Sequence, residues 1–191
     1  MDHAAYIRGL LSVLVGLSLS TLLQAVHRLL RVAPRVKWSW IPIVWTLISI
    51  LMVVQSWWAY FTIHQSPIWL NLFAFLLPLS VFVVLFLICA SVLPDAKAIP
   101  DTGTVDLEAL YFAQRRYFFG LWGVLLVQAI VVSWIAAGHV DFGFEELFRV
   151  LGIGMGAALA LSGRRSVHAL GTVAAATFLL GFVALYSARL P

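Results

Sequence analysis

Long apolar stretches alternate with short polar ones along the whole chain of 191 residues. Six of these stretches supply, or nearly supply, the roughly 20 apolar residues of a membrane-crossing helix. They cover about residues 6–30, 40–63, 68–93, 118–137, 147–162 and 169–187. The pattern therefore predicts an all-α integral membrane protein, in which one bundle of six transmembrane helices forms a single domain over residues 1–191.

The one long polar segment, residues 94–117, divides the chain into three spans before it and three after it. Pro94, Pro100 and Gly103 favour a turning or extended start, and Thr104 is the expected N-cap of the helix that follows. Because apolar residues then recur at helical spacing, we predict an amphipathic helix. It lies at the membrane surface or runs directly into span four.

Composition supports a membrane protein and narrows its chemistry. The chain is 63% hydrophobic and 10% charged, whereas a soluble domain is about a quarter charged. The single cysteine, Cys89, excludes an internal disulfide and any CxxC redox or zinc site. The formal net charge of +4 is interpreted as an orientation signal, because the basic residues cluster at span ends, and not as a sign of nucleic-acid binding.

The basic residues predict the orientation of the chain in the membrane. Nine of the twelve lysines and arginines lie in the connections between spans one and two, three and four, and five and six. The positive-inside rule then places the central segment in the cytoplasm and both termini on the non-cytoplasmic side. The preference for arginine over lysine adds to the expectation of a bacterial inner (plasma) membrane.

Polar side chains inside the spans are the candidates for a solute pathway. They are Ser12, Ser20 and Gln24 along one stripe of span one, Gln55 in span two and Gln128 in span four. They could line a wet path, or they could form interhelical hydrogen bonds worth about 0.5–1 kcal/mol each. No Asp, Glu, Lys or Arg falls in the middle of a predicted span, which argues against a proton relay or a voltage sensor.

Small residues recur in the last two spans. Gly152, Gly156 and Ala160 follow one another at four-residue spacing in the short span five, and Gly171 begins a similar series in span six. This spacing is typical of helices that approach their neighbours closely. We therefore expect span five to be tightly packed, within one chain or against another copy.

Six arginines are expected at headgroup depth on the cytoplasmic side. They explain the orientation and would attract anionic lipid. They could also bind a phosphate-bearing lipid or a nucleotide, with Asp95, Asp101 or Asp106 available for a metal ion. The six are Arg28, Arg31, Arg115, Arg116, Arg164 and Arg165.

Histidines at the span ends raise two further hypotheses. His27 and His168 map to one side and His64 and His139 to the other, the arrangement that a di-haem bundle requires. The outer loops could alternatively hold a cation. Interfacial histidines without a special role are the simpler interpretation, and acidic residues there would favour the N-terminus of span five. No cofactor is predicted. The loop candidates are His3, His64, His139, Asp141, Glu145 and Glu146.

The sequence favours a channel or transporter for a small solute or ion, acting as a homo-oligomer. The alternatives are a non-enzymatic subunit or scaffold of a larger membrane complex, and a lipid-active enzyme that uses the cytoplasmic arginines and aspartates. The chain has no P-loop, HExxH, GxSxG or potassium-filter motif, so enzymatic activity is not favoured. Expected partners are the bilayer, anionic lipid headgroups and other membrane subunits.

Overall fold

The described part of the chain forms an all-α bundle of six helices. The computed structural model describes residues 3–63, 71–95, 103–140 and 142–184, with the side chains of residues 3–8, 60–63 and 144 left out. Two short strands and a single 3₁₀ turn, Ala33–Arg35, complete the described elements. The helices are α1 (His3–Arg31), α2 (Trp40–Ile63), α3 (Leu72–Ser91), α4 (Leu107–Ala137), α5 (Phe144–Leu161) and α6 (Arg165–Phe182).

Five of these helices are long and apolar enough to cross a membrane. The qualifying stretches lie in α1, α2, α3, α4 and α6. The sixth helix, α5, has 18 residues and carries Glu145, Glu146 and Arg149 in its first six positions. Three charged residues within 18 set α5 apart from the five membrane-crossing candidates, so a sixth crossing stays a prediction.

The part of the central segment from Leu107 onward and span four form one helix. α4 begins at Leu107 and continues without interruption for 31 residues, so the predicted amphipathic helix runs directly into the span. The prediction of Thr104 as the N-cap was wrong. The cap is Asp106, whose carboxylate accepts a hydrogen bond from the Ala109 backbone N–H, because the chain before it is held extended in a strand.

Two short strands bring distant connections together at one end of the bundle. β1 (Val36–Lys37) pairs in parallel with β2 (Val105–Asp106). We call this the strand end, and the opposite end, where α5 begins and α4 finishes, the far end. The connection between α5 and α6 also reaches the strand end, where Arg165 pairs with Glu108 at 2.9 Å. The three connections that carry most of the basic residues therefore share one end.

Small residues allow close helix contacts, as predicted. A Cβ atom added to Gly152 would lie 2.9 Å from Leu126 Cδ1 of α4, and one added to Gly171 would lie 2.8 Å from Leu159 Cδ2 of α5. Such distances are shorter than ordinary carbon contacts. α4 also packs along α3, while α1 packs against α2 and α3, and α6 contacts α2 and α5.

Candidate solute-binding cavity

A partly open cavity of about 270 Å³ lies between helices of the bundle. α2, α4, α5 and α6 surround it, and α3 adds Pro78, Val81 and Phe82. Along α4 the lining extends from Phe119 to Ser133, which corresponds to about 21 Å at the helical rise of 1.5 Å per residue. The lining is mainly aliphatic and aromatic. The space is therefore elongated and follows the direction of the helices.

Packed aromatic rings stand at the strand end of the cavity. The ring of Trp45 meets those of Phe118, Phe119 and Trp122 edge-on, with centroids 5.0–5.5 Å apart. The Trp45 Nε1–H donates a hydrogen bond of 2.9 Å to Thr172 Oγ1, joining α2 to α6. Edge-to-face packing of this kind is favourable beyond the area it buries, so this end of the cavity is capped by rigid side chains.

Polar groups gather at the far end of the cavity. Arg149 donates from Nη1 to Ser133 Oγ at 2.8 Å and to Glu146 Oε1 at 2.7 Å, and from Nη2 to Glu145 Oε2 at 3.3 Å. Arg149 and Glu146 expose only 20% and 10% of their side chains. Because two carboxylates share one guanidinium, the cluster has a formal charge of −1.

Two residues of the cavity lining each carry a polar atom that lacks a hydrogen-bond partner within the described part of the chain. One atom is the acceptor Gln55 Oε1 and the other is the donor Trp122 Nε1. Each atom exposes less than 1 Å² of surface, so both are turned into the packed helices and away from the open space of the cavity. A buried polar atom without a partner costs about 1–3 kcal/mol, so both atoms lower the stability of the bundle around the cavity.

A second polar cluster ties the strand end together beside the aromatic rings. His168 is fully buried, and its Nε2 lies 3.0 Å from the Ser162 carbonyl oxygen. Since a carbonyl can only accept, Nε2 carries the proton. Nδ1 then accepts from the Tyr111 hydroxyl at 2.8 Å. The cluster links the start of α4, the start of α6 and the connection between α5 and α6.

Three of the four histidines considered for haem lie within the described residues. Both ring nitrogens of His168 are hydrogen-bonded within the protein, and His27 is exposed on α1. His139 is exposed and bonds the Ala137 carbonyl oxygen, while His64 lies outside the described residues. The described residues contain no group of three or more potential metal-ligating His, Cys, Asp or Glu side chains. Asp141 and the side chain of His3 lie outside the described part.

The five polar candidates of the spans lie in three different places. Gln55 lines the cavity, whereas Gln128 donates to Ser80 Oγ on α3 at 2.9 Å. Ser20 and Gln24 bond each other on the exposed surface of α1. Ser12, also exposed, accepts from Trp57 Nε1 at 3.3 Å. They do not line one shared cavity, because Ser12, Ser20 and Gln24 lie on the exposed surface of α1 and Gln128 is bonded to α3.

The arginine candidates gather at the strand end with different surroundings. Arg165 pairs with Glu108, which also accepts from Ser39 Oγ at 2.9 Å. Arg115 donates to the Phe112 carbonyl oxygen. The others lie along the end of α1 or at exposed positions of α4 and α6; they are Arg28, Arg31, Arg116 and Arg164.

Of the three aspartates considered for a metal ion, Asp106 forms an ion pair with a lysine. Its carboxylate lies 2.8 Å from Lys37 Nζ. The hydrogen bond from Lys37, followed by the one from the Ala109 N–H, holds the pKa of Asp106 below its usual value, and the same contact raises the pKa of Lys37. Asp95 is exposed and Asp101 lies outside the described residues.

Sequence reasoning missed several residues that shape the cavity. Neither Trp122 nor Arg149 was among the residues that the sequence singled out. The spacing of Glu145 and Arg149, four residues apart in a helix, could have suggested their ion pair. The partnerships of Trp45 with Thr172 and of Tyr111 with His168 give no such local signal.

Comparison of the chain with protein-family models, with curated proteins and with solved structures finds no match.

Proposed function

We propose that the protein is a membrane transporter that carries a small apolar or amphipathic solute and binds it in the cavity between α2, α4, α5 and α6. The observation that carries the proposal is the cavity itself, about 270 Å³ in volume, polar at the far end and capped by aromatic rings at the strand end. Its volume approaches those of small-molecule sites, which are mostly apolar with few polar groups.

The wall chemistry favours a carrier over an open channel for ions. An ion in transit needs water or a ring of polar groups around it, whereas this cavity is lined mainly by hydrocarbon and aromatic side chains. The rings of Trp45, Phe119 and Trp122 also stand across its strand end. Release toward that end would require these rings to separate, as expected for a carrier that opens to one side at a time.

The ion pairs at the strand end argue against a lipid-active enzyme. That function needs arginines and carboxylates free to act together on a phosphate group. At the strand end, Arg165 is paired with Glu108 and Asp106 with Lys37. These contacts join connections of the chain, which is a structural role.

The positive-inside rule supports placing the strand end in the cytoplasm. The cavity would then have its polar end toward the outside of a bacterial inner membrane, with both chain termini on that side.

The proposal can be tested by transport in liposomes. The protein would be reconstituted, and the passage of a single-chain, fluorescently labelled amphiphile between leaflets followed by dithionite quenching. We expect the wild type to accelerate passage and Ala129→Phe, which fills the cavity lining, to abolish the acceleration. Val131→Phe, on the exposed side of the same helix, is the matched control.

Two results would reject the transporter. One is a wild type that does not accelerate passage, and the other is acceleration that survives Ala129→Phe unchanged. Ion conductance in the same liposomes would indicate a channel.

A second candidate function, a subunit of a membrane assembly, is supported by the surface of α1. Gly16, Ser20 and Gln24 lie exposed on the membrane-spanning part of this helix, where Gln24 Nε2 donates to Ser20 Oγ at 3.0 Å. Polar groups in hydrocarbon are costly unless another helix covers them. We propose that α1 meets a second copy of the chain through this face.

Counting subunits by single-molecule photobleaching in nanodiscs tests the assembly. We expect a defined oligomer that dissociates in Gly16→Ile, because a bulky side chain would separate the helices. Val13→Ile is the control, since Val13 is exposed but already bulky. A monomeric wild type would reject the proposed homo-oligomer.

A further inference from the structure

Among the rings at the strand end of the cavity, Trp45 is tied to a second helix by a hydrogen bond. Its side chain lines the cavity and is almost completely buried, and its Nε1–H donates to Thr172 Oγ1 of α6 at 2.9 Å. Thr172 is fully buried as well. Because breaking the bond would leave a buried donor without a partner, the closed position of the indole is favoured. The bond therefore holds the indole across the strand end.

The Thr172 hydroxyl is oriented by its own helix. It donates to the His168 carbonyl oxygen, one turn earlier in α6, at 2.7 Å. A hydroxyl has a single hydrogen, so toward Trp45 it can only accept. When the indole leaves, the hydroxyl keeps the bond to His168 and is not left unsatisfied. Thr172 is therefore a fixed acceptor that the indole can leave and return to.

The start of α6 is held in place by contacts that do not involve the Trp45 ring. His168 Nδ1 accepts from the Tyr111 hydroxyl at 2.8 Å, and its Nε2–H donates to the Ser162 carbonyl oxygen at 3.0 Å. The Phe119 ring also packs 5.8 Å from the His168 ring. These contacts tie α6 to α4 and to the end of α5, so the acceptor stays in place when the indole turns.

The start of α2 is anchored independently. Ser39, directly before α2, donates to Glu108 of α4 at 2.9 Å, and Arg165 at the start of α6 pairs with the same carboxylate. Separating the helices at the strand end would break these contacts together with the pairing of β1 and β2. Turning the indole breaks one hydrogen bond, and the cavity beside Trp45 supplies free space. A side-chain rotation is therefore the less costly way to open this end.

We propose, on the premise that the cavity binds the transported solute, that the Trp45 indole is a movable latch at the strand end and that Thr172 holds it closed. When the indole turns away from Thr172, a solute in the cavity can pass between α2 and α6. Thr172 is a positioning residue, since it acts on the solute only through Trp45.

The liposome assay tests the latch through a gain of activity. Thr172→Val keeps the shape of the side chain but removes the acceptor, so the indole loses its partner in the closed position. We expect passage of the labelled amphiphile to become about threefold to tenfold faster, the effect of one hydrogen bond on the opening equilibrium. Thr172→Ser keeps the hydroxyl and should restore the wild-type rate. A Thr172→Val rate at or below that of the wild type would overturn the latch.

Two further variants distinguish the latch from a general loosening of the bundle. Thr46→Val removes a buried hydroxyl of α2 that donates within its own helix, to the Pro42 carbonyl oxygen, and should leave the rate unchanged. Thr172→Val combined with Ala129→Phe should return passage to the rate of protein-free liposomes, because the faster passage still uses the cavity. Faster passage in Thr46→Val or in the double variant would indicate leakage and reject the latch.

The hydrogen bond can also be measured without transport. In ¹H–¹⁵N NMR spectra of the protein in micelles, the indole N–H signal of Trp45 would be assigned by its loss in Trp45→Phe. We expect its hydrogen exchange to be about threefold to tenfold faster in Thr172→Val than in the wild type, and unchanged in Thr46→Val. Equal exchange in Thr172→Val and the wild type would show that Thr172 does not hold the indole.

The outcomes separate the latch from the proposed function. If the wild type carries the amphiphile and Thr172→Val changes neither passage nor exchange, the transporter stands and the latch is wrong. If the wild type does not accelerate passage, the proposed function fails, and with it the role of the latch in transport, even where Thr172→Val speeds exchange.

Discussion

Replacing Tyr111 by phenylalanine tests the polar cluster that ties the strand end together. The change removes only a hydroxyl, and it leaves Nδ1 of the fully buried His168 without its 2.8 Å partner. A lost hydrogen bond that strands a buried group costs about 1–3 kcal/mol. We expect the free energy of unfolding, measured by SDS titration in mixed micelles, to fall by that amount.

A double-mutant cycle distinguishes this hydrogen bond from a general packing effect. Tyr111→Phe combined with His168→Leu should cost less than the sum of the single changes, with a coupling of about 1 kcal/mol or more. Tyr117→Phe, on an exposed part of the same helix, should change stability by less than about 0.5 kcal/mol. An equally small effect of Tyr111→Phe would refute the buried hydrogen bond.

Two further predictions concern helix contact and pH. Gly171→Ala should destabilise the bundle by about 1 kcal/mol, because overpacking against buried Leu159 outweighs the gain in helix propensity. Gly181→Ala is the control, because a Cβ atom there has no neighbour within 4 Å. It should not destabilise the bundle in the same SDS titration. The pKa of Asp106 is lowered in the folded protein, so its contribution to stability is present above its unfolded pKa and is lost as pH falls through the folded one. Asp106→Asn should flatten the acid limb of thermal stability against pH, and an unchanged profile would show that its pair with Lys37 has no effect on stability.

The pattern of apolar residues determined the fold class and most helix positions. Span two was predicted at residues 40–63, which are the bounds of α2. The connections that carry the basic residues also meet at one end, as an alternating arrangement of six helices requires. These features can be predicted locally. A helix in lipid must satisfy its own backbone hydrogen bonds, so it appears in the sequence as an unbroken apolar run.

The helix boundaries that were missed depend on contacts between distant segments. The N-cap of α4 is Asp106 and not Thr104, because residues 105 and 106 pair with residues 36 and 37. No sequence feature within the central segment predicts that pairing. Thr104 has a suitable side chain for a cap, but its position before the strand excludes it from the first turn.

Which residues line the cavity depends on the tertiary structure. Sequence polarity grouped Gln55, which lines the cavity, with Ser20 and Gln24, which lie on the exposed surface of α1. Trp45 and Thr172 are 127 residues apart, and their hydrogen bond beside the cavity joins α2 to α6. Hydropathy determines that a helix enters the membrane. Which face it turns toward a cavity, a neighbour or lipid depends on the packing of all six helices, because each side chain's surroundings come from other parts of the chain.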